Sequence, residues 1–364
     1  MSGADAGERR DALVERLFAG VLGMIDVHAV YVGDRLGLYR ALDGGAATSE
    51  EVASATGADE RYVREWLEQQ AVSGVIEVEN GAEDPSARRY ALPPGHADVV
   101  VQNDSPDCLA PFARMMVGMV RELPDVLEAF RNGGGVPYER YDADFSEGQG
   151  DMNGAAFDAF LGTEWLPAVP DVHERLSSDP PARVADVACG TGRSALALAR
   201  AYPKVQVDGI DLDEHSISVA RDNLAADGDG LDERVTFEVR DAGDPGLAGR
   251  YDLVTIFEAV HDLSKPVEVL AAIHGLLADG GTALVMDERV AERFEAPGDD
   301  VERLMYGFSV LHCLPVGMAD QPSAGTGTCL RPDLLRDYAM AAGFSGMEVL
   351  PIENDFWRFY RLQR

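Results

Sequence analysis

Apolar residues recur at helical spacing near the start of the chain. Leu13, Leu17 and Val21 fall near one face of a helix, because residues three or four apart share a face. The glycine pair Gly44–Gly45 ends the pattern. We therefore predict helical structure over residues 11–42.

The next fifty residues predict two short helices followed by a pair of strands. Thr48 and the acidic residues after it are typical of a helix N-cap, and Gly57 ends this helix. Asp59 can cap a second helix that runs to Gly74. The segments VIEVE and RRYAL then predict two strands around an acidic turn. Together these elements predict a winged helix within a mainly helical N-terminal domain over residues 1–104.

A winged helix can bind DNA or serve as a dimerisation module. Between Thr48 and Asp98 acidic residues outnumber basic ones, which is the wrong sign for a phosphate-rich partner. The charge balance therefore favours a homodimer that does not bind nucleic acid, with DNA binding as the alternative.

The middle of the chain looks helical and is rich in methionine. We assign residues 105–180 to a helical linker that also forms a substrate pocket or lid. Clustered methionines usually fill a core, but they also line adaptable pockets. The glycines at 133–135 predict a break that can hinge or cover a cleft. The candidate pocket residues of this region are Phe112, Met115, Met116 and Met119.

Strands and helices alternate over residues 181–364, as they do in a parallel α/β sheet. Two further apolar runs near the C-terminus predict an antiparallel hairpin. The result is a Rossmann-like sheet of seven strands, whereas NAD-binding domains usually continue with parallel strands. The predicted strands are 183–188, 205–210, 235–240, 252–257, 281–287, 346–352 and 356–362. The predicted helices are 194–202, 214–226, 267–277 and 331–342.

The first of these strands leads into a glycine-rich loop. Gly190 and Gly192, followed by Ala195, match the G-x-G-x-x-A pattern of dinucleotide-binding loops, a weak indication by itself. With Asp186 inside the strand, the segment resembles the first motif of class I S-adenosylmethionine-dependent methyltransferases. The resemblance implies that the glycines let the backbone approach the methionine part of S-adenosyl-L-methionine. It also implies that Asp186 holds the loop or the amino group of the cofactor.

Acidic residues stand at the carboxyl ends of the next two strands. Asp211 can accept hydrogen bonds from both ribose hydroxyls, as an acid does at this place in NAD enzymes too. The same resemblance implies that Leu212 flanks the adenine and that Asp241 meets the adenine amino group. Ala242 and Phe257, which ends the fourth strand, complete the predicted cofactor site.

The segment FEAVHDL, which follows the fourth strand, resembles the His-Asp-Trp motif of winged-helix O-methyltransferases that modify small molecules. His261 and Asp262 match this motif, and Leu263 replaces the tryptophan. The resemblance implies that His261 is the general base and that Asp287, or its neighbour Glu288, supports it. A second supporting acid, expected near the segment GTGTCLRP, is not visible in the sequence.

Two later segments, SVLHCLPVGM and SAGTGTCLRP, are closer still to a bacterial branch of class I methyltransferases with this domain order. This region supplies the other candidate residues of the acceptor pocket. For His312 the alternative is a buried histidine with a structural role. The candidates are Tyr306, Phe308 and His312.

Composition limits the environment and the partners. The formal net charge is −33 at pH 7, and so negative a surface repels nucleic acid phosphates and anionic membranes. That charge fits a salt-rich cytoplasm or simply an acidic protein. No apolar stretch approaches the roughly 20 residues of a membrane span, and the N-terminus predicts no secretory signal. Four widely spaced cysteines without a CxxC pair predict reduced thiols in a cytoplasm and no metal site.

These features predict an enzyme that transfers a methyl group from S-adenosyl-L-methionine to a small, partly apolar molecule, preferably at oxygen. Transfer from a sulfonium needs alignment and the exclusion of water, and it needs a base only if the acceptor arrives protonated. Transfer to nitrogen is the first alternative. The others are a non-methylating enzyme or a regulator that retains the cofactor.

Overall fold

The chain divides into two compact units, Met1–Val117 and Gly118–Arg364. The predicted division into three parts stays a prediction. Part of the acidic turn in the predicted wing, residues 81–82, lies outside the part of the chain that the structure describes. The computed structural model describes residues 3–80, 83–228 and 230–364.

The N-terminal unit contains the predicted helix pair and wing, which are thereby confirmed. The two wing strands pair antiparallel, with Val78 opposite Tyr90. Helix α5 continues past the end of this unit. The elements are α1 (Gly3–Arg35), α2 (Ser49–Thr56), α3 (Glu60–Val72), α4 (His96–Val100) and α5 (Ala110–Arg121), strands β1 (Glu77–Val78) and β2 (Tyr90–Ala91), and 3-10 helices Arg40–Leu42 and Pro85–Ala87.

Side-chain caps fix the starts of the two wing-domain helices. At α2 the Thr48 hydroxyl accepts from the Glu51 backbone N–H at 3.3 Å, while the Glu51 carboxylate accepts from the Thr48 N–H at 2.8 Å. At α3 the Asp59 carboxylate accepts from the Arg61 N–H at 3.0 Å. Each such cap stabilises a helix by about 1 kcal/mol. The predicted cap residues therefore do set these helix boundaries.

The first helix differs from its prediction at both ends, because it spans Gly3–Arg35 and not residues 11–42. Gly37 has a φ of +70°, a left-handed conformation that ends helices. The apolar spacing continues beyond this break because Leu38 and Leu42 are buried in the core of the winged helix. Periodicity alone therefore extended the helix too far.

The C-terminal unit is an α/β structure of helices and one large sheet. A π-helical segment, Phe157–Trp165, continues α7, and a second one, Ser309–Cys313, lies between α12 and α13. The helices are α6 (Leu123–Asn132), α7 (Ala143–Ala156), α8 (Pro170–Ser177), α9 (Arg193–Ala201), α10 (Glu214–Asp227), α11 (Pro266–Leu276), α12 (Asp300–Phe308), α13 (Leu314–Gly317) and α14 (Pro332–Ala341). The strands are β3 (Arg183–Val187), β4 (Gln206–Asp211), β5 (Val235–Val239), β6 (Tyr251–Phe257), β7 (Leu277–Glu288), β8 (Gly346–Val349) and β9 (Trp357–Gln363).

The seven strands lie in the order β5-β4-β3-β6-β7-β9-β8. Strands β3 to β7 are parallel to one another, and β9 pairs antiparallel with both β7 and β8. This confirms the predicted seven-stranded sheet with its antiparallel finish. Neighbouring residues such as Val184 and Ala185 belong to two different apolar clusters, because successive strand residues point to opposite faces of the sheet.

Two parts of this unit differ from the predicted elements. Strand β7 begins at Leu277 and not at residue 281, and its pairing with β6 shifts register between Tyr251 and Leu253. That shift lets residues before the glycine pair join the sheet, so α11 ends one residue early at Leu276. The helices around residues 300–317 had not been predicted, because a π-helical turn and Pro315 interrupt their spacing.

Candidate functional site

The glycine loop after β3 opens onto the carboxyl ends of the strands. Gly190 has a φ of +52°, and a Cβ placed on it would meet no atom within 4 Å. At Gly192, with φ +79°, a Cβ would lie 2.5 Å from the Phe237 ring. Gly190 therefore leaves open space beside the backbone for a ligand, while Gly192 lets the loop pack closely on β5.

Asp186 is a buried carboxylate that fastens this loop. Its two oxygens accept hydrogen bonds from the hydroxyls of Ser194, at 2.5 Å, and Thr255, at 2.6 Å. Burial raises its pKa to about 6, despite these two hydrogen bonds. Because both oxygens have partners on α9 and β6, the geometry favours the loop-holding role over contact with the cofactor.

Asp211 lies at the tip of β4 and faces the same loop. Its Oδ2 accepts from the Gly190 N–H at 2.9 Å, and its Oδ1 accepts from the Asp213 N–H at 2.9 Å. Burial raises the pKa of this carboxyl. Each oxygen keeps a lone pair for a further donor, so the group can still receive a pair of ribose hydroxyls.

The other predicted cofactor residues are near the neighbouring strand tips. Leu212 is 71% exposed. The exposed Asp241 accepts from the Gly243 N–H at 2.8 Å, and Ala242 packs against the core. Phe257 stacks on Phe157 with 5.9 Å between ring centres.

Helix α7 covers the loop with one face. A Cβ on Gly150 would overlap Thr191, and one on Gly154 would lie 3.1 Å from the Arg193 side chain. Asn153, on the same face, donates a hydrogen bond to the carboxylate of Glu258. The small residues bring α7 close to the start of α9, where the loop ends.

His261 lies in a 3-10 helix, Val260–Asp262, that begins three residues after the end of β6, and it is only 3% exposed. Its Nδ1 donates to Asp287 Oδ1 at 2.7 Å and lies 3.0 Å from Glu288 Oε2. Its Nε2 lies 3.2 Å from Asp262 Oδ1. The structure therefore brings together the predicted base and both candidate supporting acids.

The three carboxylates set the protonation of the ring. Burial by itself lowers the pKa of His261, but Asp262, Glu288 and Asp287 together raise it well above its usual range. Burial raises the pKa of Asp287, yet the neighbouring imidazole lowers it more, and the net pKa is below normal. Burial and Asp287 hold the pKa of Glu288 well above its usual range. We therefore expect an imidazolium paired with Asp287 and a protonated Glu288 at neutral pH.

The same donor atoms are close enough to share a cation. His261, Asp287 and Glu288 form one such group, and His261, Asp262 and Cys313 form another, each with its donor atoms within 4.8 Å of one another. A proton on the imidazole already offsets the charge of these acids. The predicted absence of a metal ion stays a prediction.

The predicted pocket residues differ in burial and in their contacts. Met115 and Met119 are buried, and Phe112, Met116 and Phe308 are partly buried. The phenol of Tyr306 accepts from Arg331 at 3.2 Å, and its ring packs on Phe294. These positions leave the predicted acceptor pocket a prediction.

His312 lies in an aromatic cluster that sequence reasoning missed. Its ring stacks on Phe145 with 4.0 Å between ring centres, and Tyr141 lies 4.4 Å away. Burial lowers the pKa of His312 to about 4, so the ring is neutral. Tyr138 completes the cluster at 6.0 Å. The dense aromatic residues of PYERYDADF, after the glycine run, were the signal that could have indicated it.

A cavity of about 220 Å³ adjoins this cluster and the tip of β4. It reaches Asp213, the residue whose N–H bonds to Asp211. The cavity therefore lies beside the segment that follows β4. Its lining residues are Tyr138, Glu139, Tyr141, Asp142, Ala143, Ser146, Asp213 and His215.

Comparison with known proteins identifies the family of the chain. A sequence profile described as a methyltransferase domain matches residues 185–283, and an Rv2258c-like winged HTH domain matches residues 27–102. The chain is 30% identical to a ubiquinone biosynthesis O-methyltransferase of Aromatoleum aromaticum over 181 residues, which cover 50% of this chain and 71% of that protein. Other curated relatives are matched over 50%, 41% and 36% of their own length.

Solved structures share the fold along nearly the whole chain. Mitomycin 7-O-methyltransferase MmcR is 20% identical with a TM-score of 0.70, and the match covers 98% of this chain and 99% of that one. Human N-acetylserotonin methyltransferase, solved in complex with SAM, is 16% identical with a TM-score of 0.69, covering 96% and 97%. The matched methyltransferase domain contains both the glycine loop and His261. The chain therefore belongs to the S-adenosylmethionine-dependent methyltransferases, and S-adenosyl-L-methionine is its cofactor.

Proposed function

We propose that this methyltransferase acts on an oxygen atom of a small, partly apolar molecule, with His261 as the general base. The observation that carries the proposal is the 2.7 Å contact between His261 and Asp287 at the carboxyl end of the sheet. Ligands of open α/β sheets bind at this edge, and Gly190 and Asp211 lie there too. The sulfonium of the bound cofactor supplies the activated methyl group.

The protein's own residues align the acceptor and take its proton. Asp287 holds Nδ1 of His261, so Nε2, on the side of Asp262, is the nitrogen that receives a proton when the ring is in its neutral form. General-base assistance of this kind is typically worth about 10²–10⁴-fold in rate. His261 is only 3% exposed, so water has little access to its ring.

Labelling the transferred group tests the proposal. The enzyme is incubated with S-adenosyl-L-methionine carrying a ¹³C-methyl group and with a small-molecule extract, and the products are examined by mass spectrometry and NMR. We expect a methyl signal bonded to oxygen. A label found only on nitrogen would contradict the assignment to oxygen and favour the N-methyltransferase alternative.

The rate should depend on pH in a direction set by His261. A base acts in its neutral form, and three carboxylates hold the pKa of His261 well above its usual value of about 6.5. We therefore expect kcat/KM to rise with pH along a limb that lies above pH ~6.5. In Asp262→Asn one of these charges is lost, so the limb should move to lower pH. An unchanged limb in this variant would contradict the assignment.

We also propose that the enzyme is a homodimer that does not bind nucleic acid and works in the cytoplasm. Helix α1 exposes apolar side chains along its length, among them Leu17 at 60% and Val21 at 47%. Burying such residues against a second copy removes apolar surface from water. The four free cysteines support a reducing compartment. In the part of the chain that the structure describes, no helix has the length and apolar character of a membrane span.

Charge placed on α1 should separate the subunits. In the double variant Leu17→Asp and Val21→Asp we expect a monomer by light scattering at concentrations where the wild type is a dimer. Val72, on α3 and 90% exposed, provides the control, because Val72→Asp should leave the dimer intact. A wild-type protein that is monomeric, or that shifts duplex DNA at physiological salt, would overturn the proposal.

A further inference from the structure

Glu258, the residue directly after β6, has an unusual backbone conformation. Its φ is +51°, in the left-handed region that residues other than glycine rarely adopt. Its N–H donates to the Met286 carbonyl on β7 at 2.8 Å, which holds the strand tip in place. Such conformations cluster at functional sites, where the surrounding structure maintains them.

The carboxylate of Glu258 is held from two sides by neutral groups. One oxygen accepts from the indole N–H of Trp357 on β9, and the other accepts from the amide of Asn153 on α7. Neither donor offsets the negative charge. Burial raises the pKa of Glu258 to about 7. Glu258 is thus a partly buried carboxylate held ready for a positive charge, and among the residues that the structure describes His261 nearby supplies one.

Glu258 belongs to the same crevice as the glycine loop. Helix α7 contacts Thr191 through Gly150 and Glu258 through Asn153, and these two positions share a helical face. In the sheet β3 lies between β4 and β6, so the tips of β4 and β6 are about 10 Å apart at the usual strand spacing. A nucleoside that carries an amino-acid side chain can bridge this distance, with its ribose at Asp211.

We propose that Glu258 binds the positive charge at the methionine end of S-adenosyl-L-methionine. This inference rests on the proposed place of the cofactor, with the ribose at Asp211 and the chain passing Gly190. The methionine end carries a sulfonium and an ammonium group. Pairing either one with Glu258 gives this partly buried carboxylate the cation that Asn153 and Trp357 do not provide, and so makes Glu258 a determinant of cofactor specificity.

Calorimetry with three ligands tests the proposal. S-adenosyl-L-methionine carries both charges, S-adenosyl-L-homocysteine carries only the ammonium, and 5′-methylthioadenosine carries neither. In Glu258→Gln we expect at least tenfold weaker binding of S-adenosyl-L-methionine and unchanged binding of 5′-methylthioadenosine. If Glu258→Gln also binds S-adenosyl-L-homocysteine more weakly, the ammonium is the partner of Glu258. If its binding of S-adenosyl-L-homocysteine is unchanged, the sulfonium is the partner. Equal effects on all three ligands, or none, would overturn the proposal.

Three further variants make the result unambiguous. Glu258→Asp keeps the charge, so it should retain more of the preference for S-adenosyl-L-methionine over 5′-methylthioadenosine than Glu258→Gln does. The same preference in both variants would also overturn the proposal, even if both are less stable than the wild type. Glu348→Gln, on the distant strand β8, should change nothing. Asp211→Ala should weaken all three ligands, and if it does not, the proposed cofactor placement fails instead.

Discussion

Replacing His261 with alanine is expected to lower turnover by about 10²–10⁴-fold, the usual loss when a general base is removed. The ring has a second role, because it offsets the charge of Asp287, which is 0% exposed. Removing one partner of a buried ion pair typically costs about 3–5 kcal/mol in the free energy of unfolding. We therefore expect His261→Ala to lose both activity and stability.

A second substitution separates these two losses. In His261→Ala with Asp287→Asn the charge of Asp287 is gone and only that of Asp262 loses its partner, so thermal unfolding should return part of the way toward that of the wild type while turnover stays low. His173→Ala is the matched control, since His173 bonds to the Tyr202 hydroxyl at 2.7 Å away from the predicted site. Near-normal turnover in a folded double variant would leave alignment alone as the catalytic mechanism.

Replacing Asp211 with alanine is expected to weaken the binding of S-adenosyl-L-methionine at least tenfold. The loss of a hydrogen bond to a charged group costs about 1.5–3 kcal/mol. The substitution also removes the hydrogen bonds that the Asp211 carboxylate accepts from the Gly190 and Asp213 N–H groups. The glycine loop then loses its hydrogen bond to the end of β4. Calorimetry with the cofactor and the variant measures the effect directly.

Asp208, on the same strand, provides the control for Asp211. Its carboxylate accepts from Arg183 and from the Tyr251 hydroxyl, both at 2.8 Å, and from Thr236 at 2.9 Å. These are contacts within the sheet, so Asp208→Asn should lower stability without changing cofactor affinity. If Asp211→Ala binds the cofactor as tightly as the wild type, Asp211 does not hold the ribose.

The parts of the site that could be predicted are those in which one short segment determines both position and chemistry. Asp211 stands at the end of β4, and His261 follows β6 in a recognisable motif. Alternating apolar runs then place both at one edge of a parallel sheet. The caps at Thr48 and Asp59 could also be predicted from a short segment, because a cap acts on backbone N–H groups within three residues.

The parts that could not be predicted depend on residues far apart in the chain. Glu258 meets Asn153 and Trp357, and His312 stacks on Phe145. No periodicity links such positions, because packing of α7 and β9 on the sheet brings them together. The end of α1 was also not predicted, because the apolar spacing continues beyond it in Leu38 and Leu42, which belong to the core of the winged helix.

The measurement that tests the central claim most directly follows a labelled methyl group. The wild type, Asp211→Ala and the His261→Ala, Asp287→Asn double variant are each incubated with tritiated S-adenosyl-L-methionine and a complete cell extract. The label is then divided between small molecules, protein and nucleic acid. We predict that the wild type labels the small-molecule fraction, that the double variant labels it far less, and that excess cofactor restores labelling only for Asp211→Ala. Label on protein or nucleic acid, or equal labelling by the wild type and the double variant, would contradict this account.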